Sequence, residues 1–118
     1  MSDTVTIWHN PRCGKSREAL KLLEAQGIEP DIVRYLDEAP SEAQLRDVLK
    51  MLGIGARDLM RTKEALYKEL GLGNVSDEDA LIKAMAEHPK LIERPVVIKN
   101  GKAVIGRPPE KVVALVKK

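Results

Sequence analysis

An Asn-Gly pair at Asn100 and Gly101 stands between two apolar runs, Arg94-Pro95-Val96-Val97-Ile98-Lys99 and Lys102-Ala103-Val104-Ile105-Gly106. A two-residue Asn-Gly connection suits a turn whose two central residues both take positive φ, and it is the strongest short-range signal for an antiparallel hairpin. The carboxyl third therefore reads as strand, strand and then a helix. Pro108 and Pro109 open that helix, Val112, Val113 and Val116 carry it, and Lys117 and Lys118 sit at its negative end. With that third antiparallel, the rest of the chain must supply strands that join its sheet.

The amino end supplies them. Val5-Thr6-Ile7-Trp8 reads as a strand, a helix is expected from about Lys15 to Gln26 with Gly27 as a left-handed stop, and Pro30 precedes a second strand, Asp31-Ile32-Val33-Arg34-Tyr35-Leu36. A strand-helix-strand connection makes the two strands parallel. Between the halves, about residues 41 to 88, three short helices are expected. The first starts at a capping box, Ser41 with Gln44, presents Leu45, Val48, Leu49 and Leu52 on one face, and is broken by Gly53 and Gly55. A second starts near Thr62 with Leu66, Tyr67 and Leu70 on its face; a third starts near Ser76 with Leu81, Ala84 and Met85 on its face and stops before Pro89. The pattern predicts an α/β thioredoxin/glutaredoxin-like fold: a four-stranded mixed sheet with a helical insertion between a β-α-β half and a β-β-α half. At 118 residues the chain fits one domain, 1–118, able to bury a core without staples.

The chemistry centres on His9-Asn10-Pro11-Arg12-Cys13-Gly14-Lys15-Ser16, the turn between the first strand and the first helix. A thiol there lies near helix-start amides and the positive end of the helix dipole, both of which favour thiolate. Arg12, Lys15 and Arg17 add positive charge, and the polar flanks suggest a side chain aimed at solvent. Ser16 stands where a dithiol oxidoreductase carries its second cysteine; its hydroxyl can stabilise a thiolate or cap the helix. His9 can lower the thiol pKa if protonated and near, or serve as a loop histidine bonded to backbone. Cys13 is the only cysteine in the chain, so an internal disulfide and a thiolate-rich metal site are both excluded, and any resolving thiol comes from another molecule.

A net charge of +2 from interspersed acids and bases argues against a general nucleic-acid binder. With no long apolar run and no basic-then-apolar leader, no membrane association is expected and the location is expected to be cytoplasmic. A cysteine-type phosphatase loop needs an arginine six positions after the cysteine, where this chain has Ala19. Any oxyanion must then meet other arginines. Arg94 and Arg107 flank the hairpin and are brought to the same end by its pairing, and Arg61 lies in the helical insert. Guanidinium forks suit tetrahedral oxyanions, although each arginine has a plain reading as a solvated charge.

Four separated motifs together, His9-Asn10-Pro11-x-Cys13-Gly14-x-Ser16, Leu59-Met60-Arg61, His88-Pro89-x-Leu91-Ile92-x-Arg94-Pro95 and Gly106-Arg107-Pro108, resemble the ArsC family, the glutathione- and glutaredoxin-dependent arsenate reductases of bacteria. The resemblance spans essentially the whole chain and is closest to the short members. It implies that Cys13 attacks arsenate held by Arg61, Arg94 and Arg107, that His9 and Ser16 tune the thiolate, and that Pro95 is the cis-proline of thioredoxin-type folds. It further implies glutathione as co-substrate, glutaredoxin as partner, arsenite as product, a link to arsenical resistance, and no bound cofactor or metal. His88 matches the pattern but reads as a helix-end histidine. Two alternatives stand beside this reading: a Spx-like regulator that binds RNA polymerase, disfavoured by Ser16 and Arg107, and an ArsC-like thiol oxidoreductase acting on another oxyanion.

Overall fold

Alternation along β1 (Val5–Trp8) turns Val5 and Ile7 to one face of the sheet, where both are buried. On that face they meet Ala19 and Leu23 from α1 (Gly14–Ala25), Val97 from β3 (Val96–Lys99), and Val112 and Val116 from α6 (Lys111–Val116). Each such aliphatic chain contributes about 1.5–3 kcal/mol when fully buried, enough to hold two short helices against the sheet. The computed structural model describes residues 4–116. Lys117 and Lys118, expected at the negative end of the last helix, lie outside the described residues.

The strand order is β2-β1-β3-β4, with β2 (Asp31–Val33) and β4 (Lys102–Ile105) at the edges. β1 runs parallel to β2 and antiparallel to β3, and β3 pairs antiparallel with β4. This is the mixed sheet of a thioredoxin-like α/β fold. Val96 faces Ile105 and Lys99 faces Lys102, so Asn100 (φ 49) and Gly101 (φ 75) form the two-residue turn that the sequence predicts.

Two compact units make up the chain, one formed by Met1–Glu38 with Arg94–Lys118 and the other by Ala39–Glu93. The first holds the sheet, α1 and α6. The second holds α2 (Glu42–Leu52), α3 (Ala56–Leu59), α4 (Ala65–Glu69), α5 (Glu78–Glu87) and two 3-10 turns. Its core includes Leu45, Leu59, Ile82, Met85 and Leu91, all fully buried. Arg57 fastens its loops, donating to the Leu72 carbonyl at 3.0 Å and to the Tyr67 hydroxyl and the Val75 carbonyl. Among the described residues no helix is long and apolar enough to cross a membrane.

Several boundaries differ from the sequence expectation, each for a local reason. The second strand ends at Val33 rather than Leu36, because the Arg34 carbonyl accepts from the amides of Asp37 and Glu38 and turns the chain. The Ser41–Gln44 capping box forms, with bonds of 3.1 and 2.9 Å. Thr62 does not cap the next helix; α4 starts after Glu64 without a side-chain cap, and Leu70, just past its end, is exposed. The third helix is capped by Asp77 rather than Ser76, through the Asp79 amide. The four-residue α3 is too short to show periodicity and was not expected. The first strand of the hairpin starts at Val96, after the cis Arg94–Pro95 peptide, and α6 starts at Lys111, beyond the two prolines.

Gly106 ends β4 against the loop that leads into β3. Its amide donates to the Pro95 carbonyl at 2.8 Å, and a Cβ at this position would meet Pro95 Cγ at 2.8 Å and Val112 Cγ1 at 3.2 Å. Gly106→Ala is expected to destabilise the protein by about 1–3 kcal/mol, the usual range for overpacking. Urea denaturation checks it through a lower midpoint at unchanged slope.

Candidate active site

The first turn after β1 is organised by its own backbone and by Asn10. The Cys13 amide donates to the Asn10 carbonyl at 2.9 Å, the Arg12 amide to Asn10 Oδ1 at 3.0 Å, and the Arg17 guanidinium to the Pro11 carbonyl at 3.1 Å. This is the local side-chain-to-backbone bonding that suits Asn to turns, and Asn10's position in the turn was the available signal for it. Cys13 then takes the N-cap position of α1, with φ −95 and ψ 122.

Cys13 is only 9 % exposed, so it is not aimed at solvent as its polar flanks suggest. Burial alone pushes the thiol pKa up, yet the balance is downward: the Ser16 amide, the Arg94 charge, the Lys15 amide and a side-chain hydrogen bond from Arg94 together outweigh burial and favour the thiolate. Cys13 makes no side-chain cap hydrogen bond of regular geometry. The groups at the helix start that favour the anion are the Ser16 and Lys15 amides, which face the sulfur at the positive end of the helix. The cation that acts on the sulfur is Arg94, some 80 residues downstream, rather than Arg12, Lys15 or Arg17. No sequence spacing signals a contact of that range.

His9 and Ser16 form a pair of their own. His9 Nδ1 and Ser16 Oγ share a hydrogen bond of 2.7 Å, and the Ser16 hydroxyl also accepts from the Asn10 amide at 3.0 Å. Both side chains are buried. The Ser16 hydroxyl thus latches the end of β1 to α1, and it is the Ser16 backbone amide that favours the thiolate. Burial, then the charges of Arg34 and Arg17, hold the His9 pKa below the ordinary histidine range. At neutral pH His9 is therefore neutral, which removes the expectation of an imidazolium beside the thiol.

A pH dependence of stability follows. The unfolded chain binds the His9 proton near the ordinary value of about 6.5 and the folded chain binds it lower, so below that value the unfolded state holds more protons. The contribution is full above the unfolded pKa and is lost as pH falls through the folded one. The melting temperature is expected to drop between pH 7.5 and 5.5, and His9→Gln should flatten that drop in a calorimetric scan.

At the base of the hairpin, Arg107 Nε donates to the Arg94 carbonyl at 3.0 Å. The hairpin pairing thus brings Arg107 to Arg94, and the pairing of β1 with β3 brings Arg94 to the Cys13 sulfur. Both the Arg94–Pro95 and the Arg107–Pro108 peptides are cis; the second was not expected. Arg61 lies in the second unit. Its amide donates to the Leu91 carbonyl at 2.7 Å beside the Met60–Ile92 bridge, and its guanidinium pairs with Glu64 at 3.1 Å. His88 ends α5, its amide taking the Ala84 carbonyl at 2.8 Å. Among the described residues no group of three His, Cys, Asp or Glu is placed to hold a metal ion.

Comparison with known proteins places the chain in a family. The model of the ArsC family matches residues 8–115. An Escherichia coli K12 protein, named as uncharacterized protein YfgD, is 58 % identical over 98 % of this chain and 99 % of its own length. A Neisseria meningitidis protein named arsenate reductase is 53 % identical over 94 % of this chain and 97 % of its own. The solved structure of arsenate reductase from Vibrio cholerae superposes with a TM-score of 0.94 at 52 % identity, covering 98 % of this chain and all of that one. On the family match and on these similarities across almost its full length, the chain belongs to the ArsC family.

Proposed function

We propose that this protein is an arsenate reductase in which Cys13 is the nucleophile and an arginine cluster binds the oxyanion. One observation carries the reading: Arg94 favours the Cys13 thiolate, and its carbonyl accepts from Arg107, so a second arginine adjoins the one that acts on the nucleophile. Arg61 enters through its match to the family motif. The names of the relatives support arsenate as the substrate.

The reaction follows from the residues. The Cys13 thiolate forms a sulfur–arsenic bond while an arsenic–oxygen bond breaks, the leaving oxygen departing as water after protonation. Arginine donors neutralise the charge that builds on the remaining oxygens. Glutathione then bonds to arsenic and displaces a second oxygen as water. A glutaredoxin thiolate attacks the glutathione sulfur; the arsenic–sulfur bond pair goes to arsenic, which falls from As(V) to As(III), and a glutaredoxin–glutathione disulfide leaves. Water releases arsenite from Cys13 and restores the thiol. Two external thiols thus supply the two electrons, as a chain with one cysteine requires. A reducing compartment rich in glutathione, the cytoplasm, suits this chemistry.

The test is a coupled assay with glutathione, glutaredoxin, glutathione reductase and NADPH. NADPH consumption that depends on arsenate, and stops when glutathione or glutaredoxin is left out, supports the proposal. No arsenate-dependent consumption by wild-type protein contradicts it.

A further inference from the structure

Arg61 is held at both ends. Its backbone is fixed beside the Met60–Ile92 bridge: its amide donates to the Leu91 carbonyl at 2.7 Å, and the Glu93 amide donates to the Leu59 carbonyl at 2.7 Å. Its side chain is fixed by Glu64, three residues on, whose Oε2 meets Arg61 Nη1 at 3.1 Å. Glu64 is itself placed by the turn, its amide donating to the Arg61 carbonyl at 3.0 Å, and its other oxygen, Oε1, lies 3.9 Å from Lys90 Nζ. Lys90 precedes Leu91, so one short segment supports Arg61 through its backbone and Glu64 through its charge. The Arg61 and Glu64 side chains are 29 % and 22 % exposed, against 45 % and 70 % for the Arg46–Asp79 pair, so solvent screens the first pair less.

The contact uses one nitrogen of the guanidinium. Among the described residues Nε and Nη2 of Arg61 have no partner, and these two form a planar fork of the kind that binds an oxyanion through paired donors. Arg57, in the same unit, is different. It spends both terminal nitrogens on the Tyr67 hydroxyl and the Leu72 and Val75 carbonyls, and the fold consumes it. Arg61 is braced and still has a fork to offer. One acid between two cations also leaves this trio with a net positive charge.

We propose that Glu64 is a positioning residue of the oxyanion site, holding Arg61 so that its Nε–Nη2 edge is presented to the tetrahedral anion, with Lys90 offsetting the negative charge Glu64 brings. The inference rests on the reading of Arg61 as an oxyanion ligand. A free arginine side chain gives up rotamer freedom when it binds. One already fixed by an ion pair gives up less, so the anion is bound more tightly and its reacting atom is better placed.

The experiment combines arginine side-chain spectra of the full ¹⁵N-labelled chain with the kinetics of E64A, E64Q and R61A. Glu64 makes no side-chain cap bond to α4, so E64A leaves the start of that helix intact. In wild-type protein the Arg61 guanidinium should rotate slowly about its Nε–Cζ bond, giving separate Nη signals that merge in E64A. Inorganic phosphate and arsenate should each shift the Arg61 Nε–H signal saturably. E64A should bind both about tenfold more weakly, with a similar fall in kcat/KM for arsenate. E64Q, which keeps an oxygen acceptor without the charge, should lie between. With Arg61 gone the effect should vanish: E64A added to R61A should change the phosphate affinity, read at the Cys13 amide, by less than about twofold. Unchanged Nη signals, no Arg61 shift with either anion, equal or tighter anion binding in E64A, or an equal loss in the R61A background would overturn the assignment. The two readings fail separately. Anion binding that depends on Glu64 without arsenate reduction removes arsenate as substrate while Glu64 keeps its role, and arsenate reduction by E64A at wild-type kcat/KM removes Glu64 alone.

Discussion

Cys13→Ser protein is expected to lose arsenate-dependent NADPH consumption in the coupled assay, a fall on the order of 10⁴-fold or more, as removal of an enzyme's nucleophile produces. A serine hydroxyl does not ionise near neutral pH, so neither the Ser16 and Lys15 amides nor Arg94 can make an anion of it. The loss will not come from unfolding. Position 13 is the N-cap of α1, a place where serine is a preferred residue. The variant should therefore melt at or above the wild-type temperature. A Cys13→Ser protein that still reduces arsenate would remove Cys13 from the reaction.

Arg94→Ala should be the next most damaging change, because Arg94 acts twice. It supplies charge and a hydrogen bond to the Cys13 sulfur, and it is one of the arginines proposed to hold the oxyanion. Loss of one preorganised donor typically costs about 10²–10³-fold in turnover, and the raised thiol pKa adds to that at neutral pH. Arg94→Lys should fall between, since a lysine keeps the charge but not the planar fork. Arg107→Ala should do less to the thiol, because the cation that favours the Cys13 thiolate is Arg94, to whose carbonyl Arg107 donates. Steady-state kinetics over a range of arsenate and pH separates the two roles of Arg94. The oxyanion role moves kcat/KM at every pH, and the thiolate role moves the pH at which activity rises.

The sequence made the sheet legible because its signals are local. Asn100-Gly101 specifies its own turn, Val5 and Ile7 alternate, and Ser41 with Gln44 caps α2 with no outside help. The second strand is shorter and α4 starts later than periodicity predicts for the complementary reason. Their ends are set by where backbone carbonyls find partners, as at Arg34, and apolar periodicity does not report that. At the site, the residue types were readable and their partnerships were not. Ser16 faces His9 with its hydroxyl and Cys13 with its amide, and His9 is kept neutral by burial and by arginines outside the motif. The arginine that favours the thiolate comes from the far side of the chain, delivered by the antiparallel pairing of β1 with β3.

Ionisation of Cys13 is directly measurable, because no other thiol contributes to the signal. The rate of its alkylation by iodoacetamide, followed against pH, reports the thiolate fraction. Wild-type protein is expected to reach half its maximal rate below the ordinary thiol pKa of about 8.5, and Arg94→Ala to move that midpoint upward. A wild-type midpoint at or above the ordinary value, or the same midpoint in both proteins, would contradict a thiolate favoured by the turn and Arg94.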